Sequence, residues 1–201
     1  MNLSRVSSAA ALISAASLMV TLSACSSKTE SSQPSSASVT QMATTPASPA
    51  SGCPSTAPDK GTPEWTLTGL TGSVEVTGST DSAAPRVDVT APFTVGETQV
   101  YTLKAGDGPV VAPTATVSVC YMGVDGRDGH VFDSSYKRGE PVEFPLDGVV
   151  PGFQKAISGQ KVGSTVAVAM TSADGYPQGQ PRAGINPGDT LIFAIKILGA
   201  S

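Results

Sequence analysis

From Thr62 to the end of the chain, apolar and polar residues repeatedly trade places at every second position. Val74-Glu75-Val76 and Arg86-Val87-Asp88-Val89 do so, as do Gln99-Val100-Tyr101-Thr102-Leu103 and Thr116-Val117-Ser118-Val119-Cys120-Tyr121. Residues 165–171 and 190–198 repeat the pattern. A period of two puts neighbours on opposite faces of an extended chain, so each run predicts a strand. Gly106-Asp107-Gly108 and Asp125-Gly126-Arg127-Asp128-Gly129 read as turns between them. One run has helical spacing instead. Phe153, Ala156 and Ile157 fall at i, i+3 and i+4, Pro151 suits an N-terminal helical position, and Gly159 stands where a C-terminal cap would be. The pattern predicts an α+β fold, a mostly antiparallel sheet with one short α-helix.

Alternation also assigns faces. Val117, Val119 and Tyr121 share one, as do Val166, Val168 and Met170, and as do Leu191, Phe193, Ile195 and Ile197. These are predicted to face the helix. The opposite face carries Ser118, Cys120, Ala167, Ala169, Ile192, Ala194 and Lys196. A sheet back open to water normally displays many charges. This one is small and nearly uncharged, so it is expected to be covered. The candidate cover is an N-terminal extension, residues 61–96, with two strand-like runs. It also holds Trp65, a large aromatic that seeks buried apolar surface.

The start of the chain obeys other rules. Arg5 precedes an apolar run over 9–22, and Leu22-Ser23-Ala24-Cys25 resembles a bacterial lipobox. The run is too short and too rich in Ala and Ser for a membrane span. Residues 1–24 therefore read as a lipoprotein signal peptide, with Cys25 as the lipidation site. Two acyl chains give stable anchoring where one is marginal. The plainer alternative is an ordinary secretory signal with an incidental Cys25. Residues 25–60, rich in Ser, Thr, Pro and Ala, cannot bury enough apolar surface to order themselves and read as a tether. A flexible chain of that length spans roughly 30–35 Å. The expected location is the outer face of a bacterial cytoplasmic membrane, with the lipid anchor as the only membrane contact.

Charge and cysteine content refine this picture. Twelve Lys and Arg against sixteen Asp and Glu give a formal charge of −4, with no basic stripe interleaved with aromatics. Nucleic-acid binding is therefore not expected. Nothing in the pattern calls for more than a monomer. Of three cysteines, Cys53 and Cys120 remain if Cys25 is lipidated. Outside the cytoplasm two such thiols often pair, and a Cys53–Cys120 bond would staple the extension to the sheet back. Otherwise Cys120 is a small buried hydrophobe and Cys53 a tether thiol.

The candidate chemistry lies in Val131-Phe132-Asp133-Ser134-Ser135, then Val149-Val150-Pro151-Gly152-Phe153, then Tyr176. Gly106-Asp107-Gly108 and Tyr121-Met122-Gly123 precede them; Val162-Gly163 and Asp189-Thr190-Leu191-Ile192-Phe193 follow. In this order, over residues 97–201, the chain resembles the FKBP family of macrolide-binding peptidyl-prolyl cis/trans isomerases. The resemblance implies a curved antiparallel sheet wrapped around the short helix, and an apolar pocket that needs no cofactor and no metal. It implies Phe153 as the floor and Tyr121, Phe132 and Phe193 as walls. The Val150 N–H and the Tyr176 hydroxyl would bond substrate carbonyls, with Val149 beside them. Asp133 would sit at the rim and orient polar groups through Arg138 and Tyr121. Val142 and Ile185 would touch substrate, while Phe144 reads better as core. The implied partners are Xaa-Pro segments of exported proteins and macrolide inhibitors.

The chain also departs from the family. Phe153 replaces a usual tryptophan, Val142 a common phenylalanine, and Ser172-Ala173-Asp174-Gly175 the usual Pro-acid-aromatic-Ala. A shallower pocket would follow, with lower activity, altered preference or weaker macrolide affinity. A proline-peptide-binding or chaperone-like module without turnover is the rival reading. Other signals carry less. Ser134-Ser135-Tyr136-Lys137 and Ser158-Gly159-Gln160-Lys161 both match Ser-x-x-Lys but lack companion motifs. His130 has no partner in the pattern, and Asp125 with Asp128 lacks the remaining ligands of a calcium loop.

Overall fold

The computed structural model describes residues 52–57 and 61–201. The expected signal peptide, the Cys25 lipidation site and most of the expected tether lie outside them. The tether expected over 25–60 ends sooner, because residues 52–57 are held on the domain through Cys53 and Thr56. Among the described residues, nine strands and two short α-helices follow in order: β1 (Trp65–Thr68), β2 (Thr71–Thr77), β3 (Arg86–Thr94), β4 (Gln99–Lys104), β5 (Thr116–Asp125), β6 (Val131–Ser134), α1 (Ser135–Arg138), β7 (Val142–Pro145), α2 (Pro151–Ile157), β8 (Thr165–Met170) and β9 (Leu191–Ala200). The architecture is α+β, and every strand pairing is antiparallel.

The main sheet runs β4-β8-β9-β5-β6, with β7 also pairing to β5. Its spine is β5, which pairs along its length with β9, from Val117–Ala200 to Asp125–Leu191. On its other side the first half of β5 pairs with β7 and the second half with β6. The register shifts at Ser118/Val119 and at Gly123/Val124, and such irregularities bend a strand and increase its twist. The sheet curls accordingly.

The front face of the sheet buries Val117, Val119, Val166, Val168, Met170, Leu191, Phe193, Ile195 and Ile197 against Phe153, Ala156 and Ile157 of α2. A fully buried Ile or Phe side chain contributes about 1.5–3 kcal/mol, so α2 is held by its packed face. Pro151 opens the helix, and Gly159 follows it with φ of +80°. Gly152 sets how close the helix sits, since a Cβ there would lie 2.6 Å from the Met170 Sδ.

On the back, β1, β2 and β3 form a three-stranded sheet. Its Val74, Val76 and Phe93 pack on Val124, Ala167, Ala169, Ile192 and Ala194. Alanine methyls let one sheet lie closely on another. Trp65, partly buried, stacks on Tyr101 of β4 with ring centres 5.9 Å apart. The Phe93 N–H donates to the Gly126 carbonyl at 2.7 Å, tying the extension to the β5–β6 turn. At one corner Cys53 and Cys120 form a disulfide, packed with Ala84 and Tyr136. Linking positions 67 residues apart contributes about 4 kcal/mol in the chain-entropy picture.

The structure has more elements than the alternation predicted. The extension holds three strands instead of two, because Trp65–Thr68 pairs with β2. Strands β6 and β7 share one flank of β5, and α1 is a second helix of a single turn. Its N-cap is Ser134, whose hydroxyl accepts the Lys137 N–H, and Gly139 follows it at φ of +77°.

Candidate functional site

Seven elements deliver side chains to one end of the front core. Strand β5 supplies Tyr121, β6 Phe132 and Asp133, and β7 Val142 and Phe144. The turn ahead of α2 supplies Val149 and Val150, α2 Phe153, the β8–β9 loop Tyr176, and β9 Phe193. Together with Gly148 they line one cavity of about 300 Å³. Arg138, from α1, approaches from outside.

The rings meet edge to face. Phe153 and Phe193 have centres 4.6 Å apart at 84°, Tyr121 and Phe153 5.8 Å at 87°, and Phe132 and Phe193 5.5 Å at 86°. Edges directed at faces suit the ring quadrupoles, each pair contributing about 0.5–1.5 kcal/mol beyond area burial. Gly123 makes the cluster fit. It faces the same side of β5 as Tyr121, and a Cβ on it would lie 2.6 Å from Phe132 and 2.7 Å from Phe193. The result is a hollow with rigid apolar walls and Phe153 beneath.

The rim is polar. The Tyr121 hydroxyl donates to Asp133 Oδ2, and Arg138 Nη1 donates to Asp133 Oδ1 at 2.5 Å. Arg138 Nη2 donates to the Tyr121 hydroxyl at 3.3 Å, and the guanidinium carbon stands 5.8 Å from the centre of that ring. Burial pushes the Tyr121 phenol up to about 12, reinforced by its bond to Asp133. Burial also opposes ionisation of Asp133, but the bonds from Tyr121 and Arg138 and the charge of Arg138 outweigh it, so its carboxyl is held below the ordinary value. At neutral pH the rim is thus a carboxylate, a neutral phenol and a guanidinium. Inside, the Val149 carbonyl accepts from Gln154 Nε2 at 2.9 Å, fixing the peptide that carries the Val150 N–H. Among the described residues that N–H donates no backbone hydrogen bond, as befits a group at a helix start.

The structure brings Tyr121, Phe132, Asp133, Val142, Val149, Val150, Phe153, Tyr176 and Phe193 together around the cavity. Two expectations need correction. Ile185 does not line it. The residue is 2 % exposed in the core beneath, because a backbone bridge with Gln180 closes the 181–184 turn and swings Ile185 inward. Phe144, expected as core, is a half-buried wall whose ring meets Phe153 at 5.9 Å. In β7, Phe144 and Val142 flank Glu143 and so share one face of the strand. Gly123 was also missed, although a glycine inside a period-two run marks a close approach.

The family model for FKBP-type peptidyl-prolyl cis-trans isomerases matches residues 108–198. An FK506-binding protein of Streptomyces anulatus is 33% identical over 117 residues, which are 57% of this chain and 94% of that protein. The FKBP-type 22 kDa peptidyl-prolyl cis-trans isomerase of Escherichia coli is 39% identical over 100 residues, 50% of this chain and 48% of the relative. The peptidyl-prolyl cis-trans isomerase Mip of Coxiella burnetii is 38% identical over 103 residues, 50% of this chain and 43% of the relative. The chain belongs to the FKBP-type peptidyl-prolyl cis-trans isomerase family. It spans about half the length of the Escherichia coli relative.

Proposed function

We propose that this protein is a peptidyl-prolyl cis/trans isomerase acting on Xaa-Pro bonds of exported proteins. The observation that carries this reading is the convergence of Tyr121, Phe132, Phe153, Tyr176 and Phe193 on one cavity of about 300 Å³. Rotation about an Xaa-Pro bond has a barrier of ~18–20 kcal/mol because the amide loses resonance midway. Catalysis requires binding the twisted amide more tightly than the planar one. The prolyl ring enters the hollow and rests on Phe153. Water leaves the amide carbonyl, removing hydrogen bonds that favour the planar, polar form. The Val150 N–H and the Tyr176 hydroxyl take up neighbouring substrate carbonyls, and Asp133, held by Tyr121 and Arg138, keeps the Tyr121 wall in place. No group is consumed.

The lipobox Leu22-Ser23-Ala24-Cys25 supports placing the protein on the outer face of a bacterial cytoplasmic membrane, anchored through Cys25, with residues 26–51 as the tether and the domain acting as a monomer. Uncatalysed Xaa-Pro isomerisation takes tens of seconds or longer, so an isomerase outside the cytoplasm would speed the folding of exported chains. Macrolides of the FK506 type would compete for the hollow, weakly where Val142 and Phe153 leave it shallow.

The test is exchange NMR on Xaa-Pro peptides with the full-length chain. Acceleration that a prolyl-ring competitor abolishes is the expected result. No acceleration from a folded sample that still binds the peptide would replace the isomerase with a non-catalytic prolyl-binding module.

A further inference from the structure

The one-turn helix α1 carries Arg138 to the cavity rim, and little in its own segment holds it there. Nucleating a helix is unfavourable until several turns propagate, so four residues depend on outside contacts. Strand β6, which leads into α1, pairs with β5 at three positions. The anchors come from distant parts of the chain. Ser135, fully buried, accepts the Tyr121 N–H on its Oγ at 2.8 Å, and the Cys53 Sγ lies 3.5 Å from that same oxygen. The Cys53 N–H donates to the carbonyl of Gly139, the residue after Arg138, at 3.1 Å. The buried Tyr136 hydroxyl donates to Ser79, between β2 and β3, at 2.8 Å. Ala84, in that same connection, donates its N–H to the Thr56 carbonyl at 2.7 Å. The C-terminal end of α1 is therefore held by the Cys53 backbone, its N-terminal end by Tyr121 of β5 with the Cys53 sulfur packed beside it, and its middle by the extension.

We propose that segment 52–57, through the Cys53–Cys120 disulfide, is a positioning element of the prolyl site. It locks α1 so that the Arg138 guanidinium stays on Asp133 and against the Tyr121 ring. This deepens the isomerase reading and rests on it. A crosslink that only added global stability would lower the folded population and leave the rim of each folded molecule unchanged. A positioning crosslink acts through Arg138. When it is cut, α1 shifts, Asp133 loses one of its two side-chain partners, and the Tyr121 wall loses its outer support.

The test uses the full-length chain. Cys53→Ala with Cys120→Ala removes the bond; Tyr136→Phe keeps the bond and removes only the contact to Ser79. Each is read by carbon-detected NMR titration of the Asp133 carboxyl and by kcat/KM on an Xaa-Pro peptide, in the native background and in Arg138→Ala. The groups acting on Asp133 are Tyr121, Arg138 and the Ser134 backbone N–H, so a displaced Arg138 moves its titration upward. The expected result for the cysteine pair is an upward shift with a kcat/KM loss of about three- to tenfold, and no further loss in Arg138→Ala. An unmoved Asp133 titration, or losses that multiply in Arg138→Ala, overturns the proposal. If the cysteine variant does not fold, the folded native chain with its Cys53–Cys120 bond reduced by dithiothreitol decides on the same criteria. A native chain without isomerase activity sinks the isomerase reading alone, and the Asp133 titration still decides the positioning role.

Discussion

The two faces of the main sheet are covered by different means. On the front, the seven-residue α2 lies across a surface of large side chains. A rod cannot cover a curved sheet to its edge, and the rings beyond it meet edge to face and leave a hollow of about 300 Å³. On the back, a three-stranded sheet lies on Ala167, Ala169, Ile192 and Ala194, all fully buried. One layer leaves room for a guest where its cover falls short; the other matches a flat cover to small side chains. The candidate site sits where the packing stops early. The back contributes stability and, through the corner at Cys53, the placement of one rim residue.

The sharpest way to break this contrast is to remove one large ring from each face. Phe153→Ala deletes the floor that touches Phe193, Tyr121 and Phe144. The expected loss in kcat/KM is about 10²-fold, the cost of letting a reacting group sit about 1 Å out of place. A stability loss of about 3–5 kcal/mol in urea titration accompanies it. Phe93→Ala on the back, where the ring is fully buried, is expected to cost a similar 3–5 kcal/mol. Its kcat/KM per folded molecule should stay at the native value. Equal activity losses in the two variants would erase the division of labour between the faces.

Much of this division was legible before the structure. Period two assigned Val117, Val166 and Phe193 to the front and Ala167 and Ala194 to the back, because alternation in a strand is itself a statement about faces. The nearly uncharged back indicated a cover. The short elements were not legible. Trp65–Thr68, Val131–Ser134 and Val142–Pro145 have four residues each, too few to show a period. The one turn of α1 was hidden as well, although Ser134 and Gly139 stood at its ends as cap signals. Ile185 was misplaced because residues 176–188 hold Pro177, Gly179, Pro181, Gly184 and Pro187. Such a segment has no periodicity, and its direction is set by a bridge between Gln180 and Ile185.

A milder change sharpens the contrast within the front itself, between floor and rim. Asp133→Ala deletes none of the rings and removes the partner shared by Tyr121 and Arg138. An exposed ion pair contributes at most about 1 kcal/mol, so thermal stability should barely move. The expected fall in kcat/KM is about tenfold, smaller than for the floor because the wall is loosened and not removed. A loss as large as that of Phe153→Ala would make the rim, and not the hollow, the seat of activity.

The smallest expected effect is that of pH, and its sign follows from the rim. Asp133 has its folded pKa held below 3.8, its ordinary value. A depressed carboxylate contributes stability above its unfolded pKa and loses it as pH falls through the folded value, so the acid limb lies below 3.8. Tyr121, raised from 10.0 to about 12, contributes below 10.0 and loses that contribution as pH climbs towards 12. Between these limits neither group changes charge. From pH about 5 to about 9 the intrinsic kcat/KM should vary by less than about twofold, read by exchange NMR, which needs no coupling protease. A bell centred near neutrality would require a different titrating group in the reaction, and would take the Tyr121–Asp133 pair out of it.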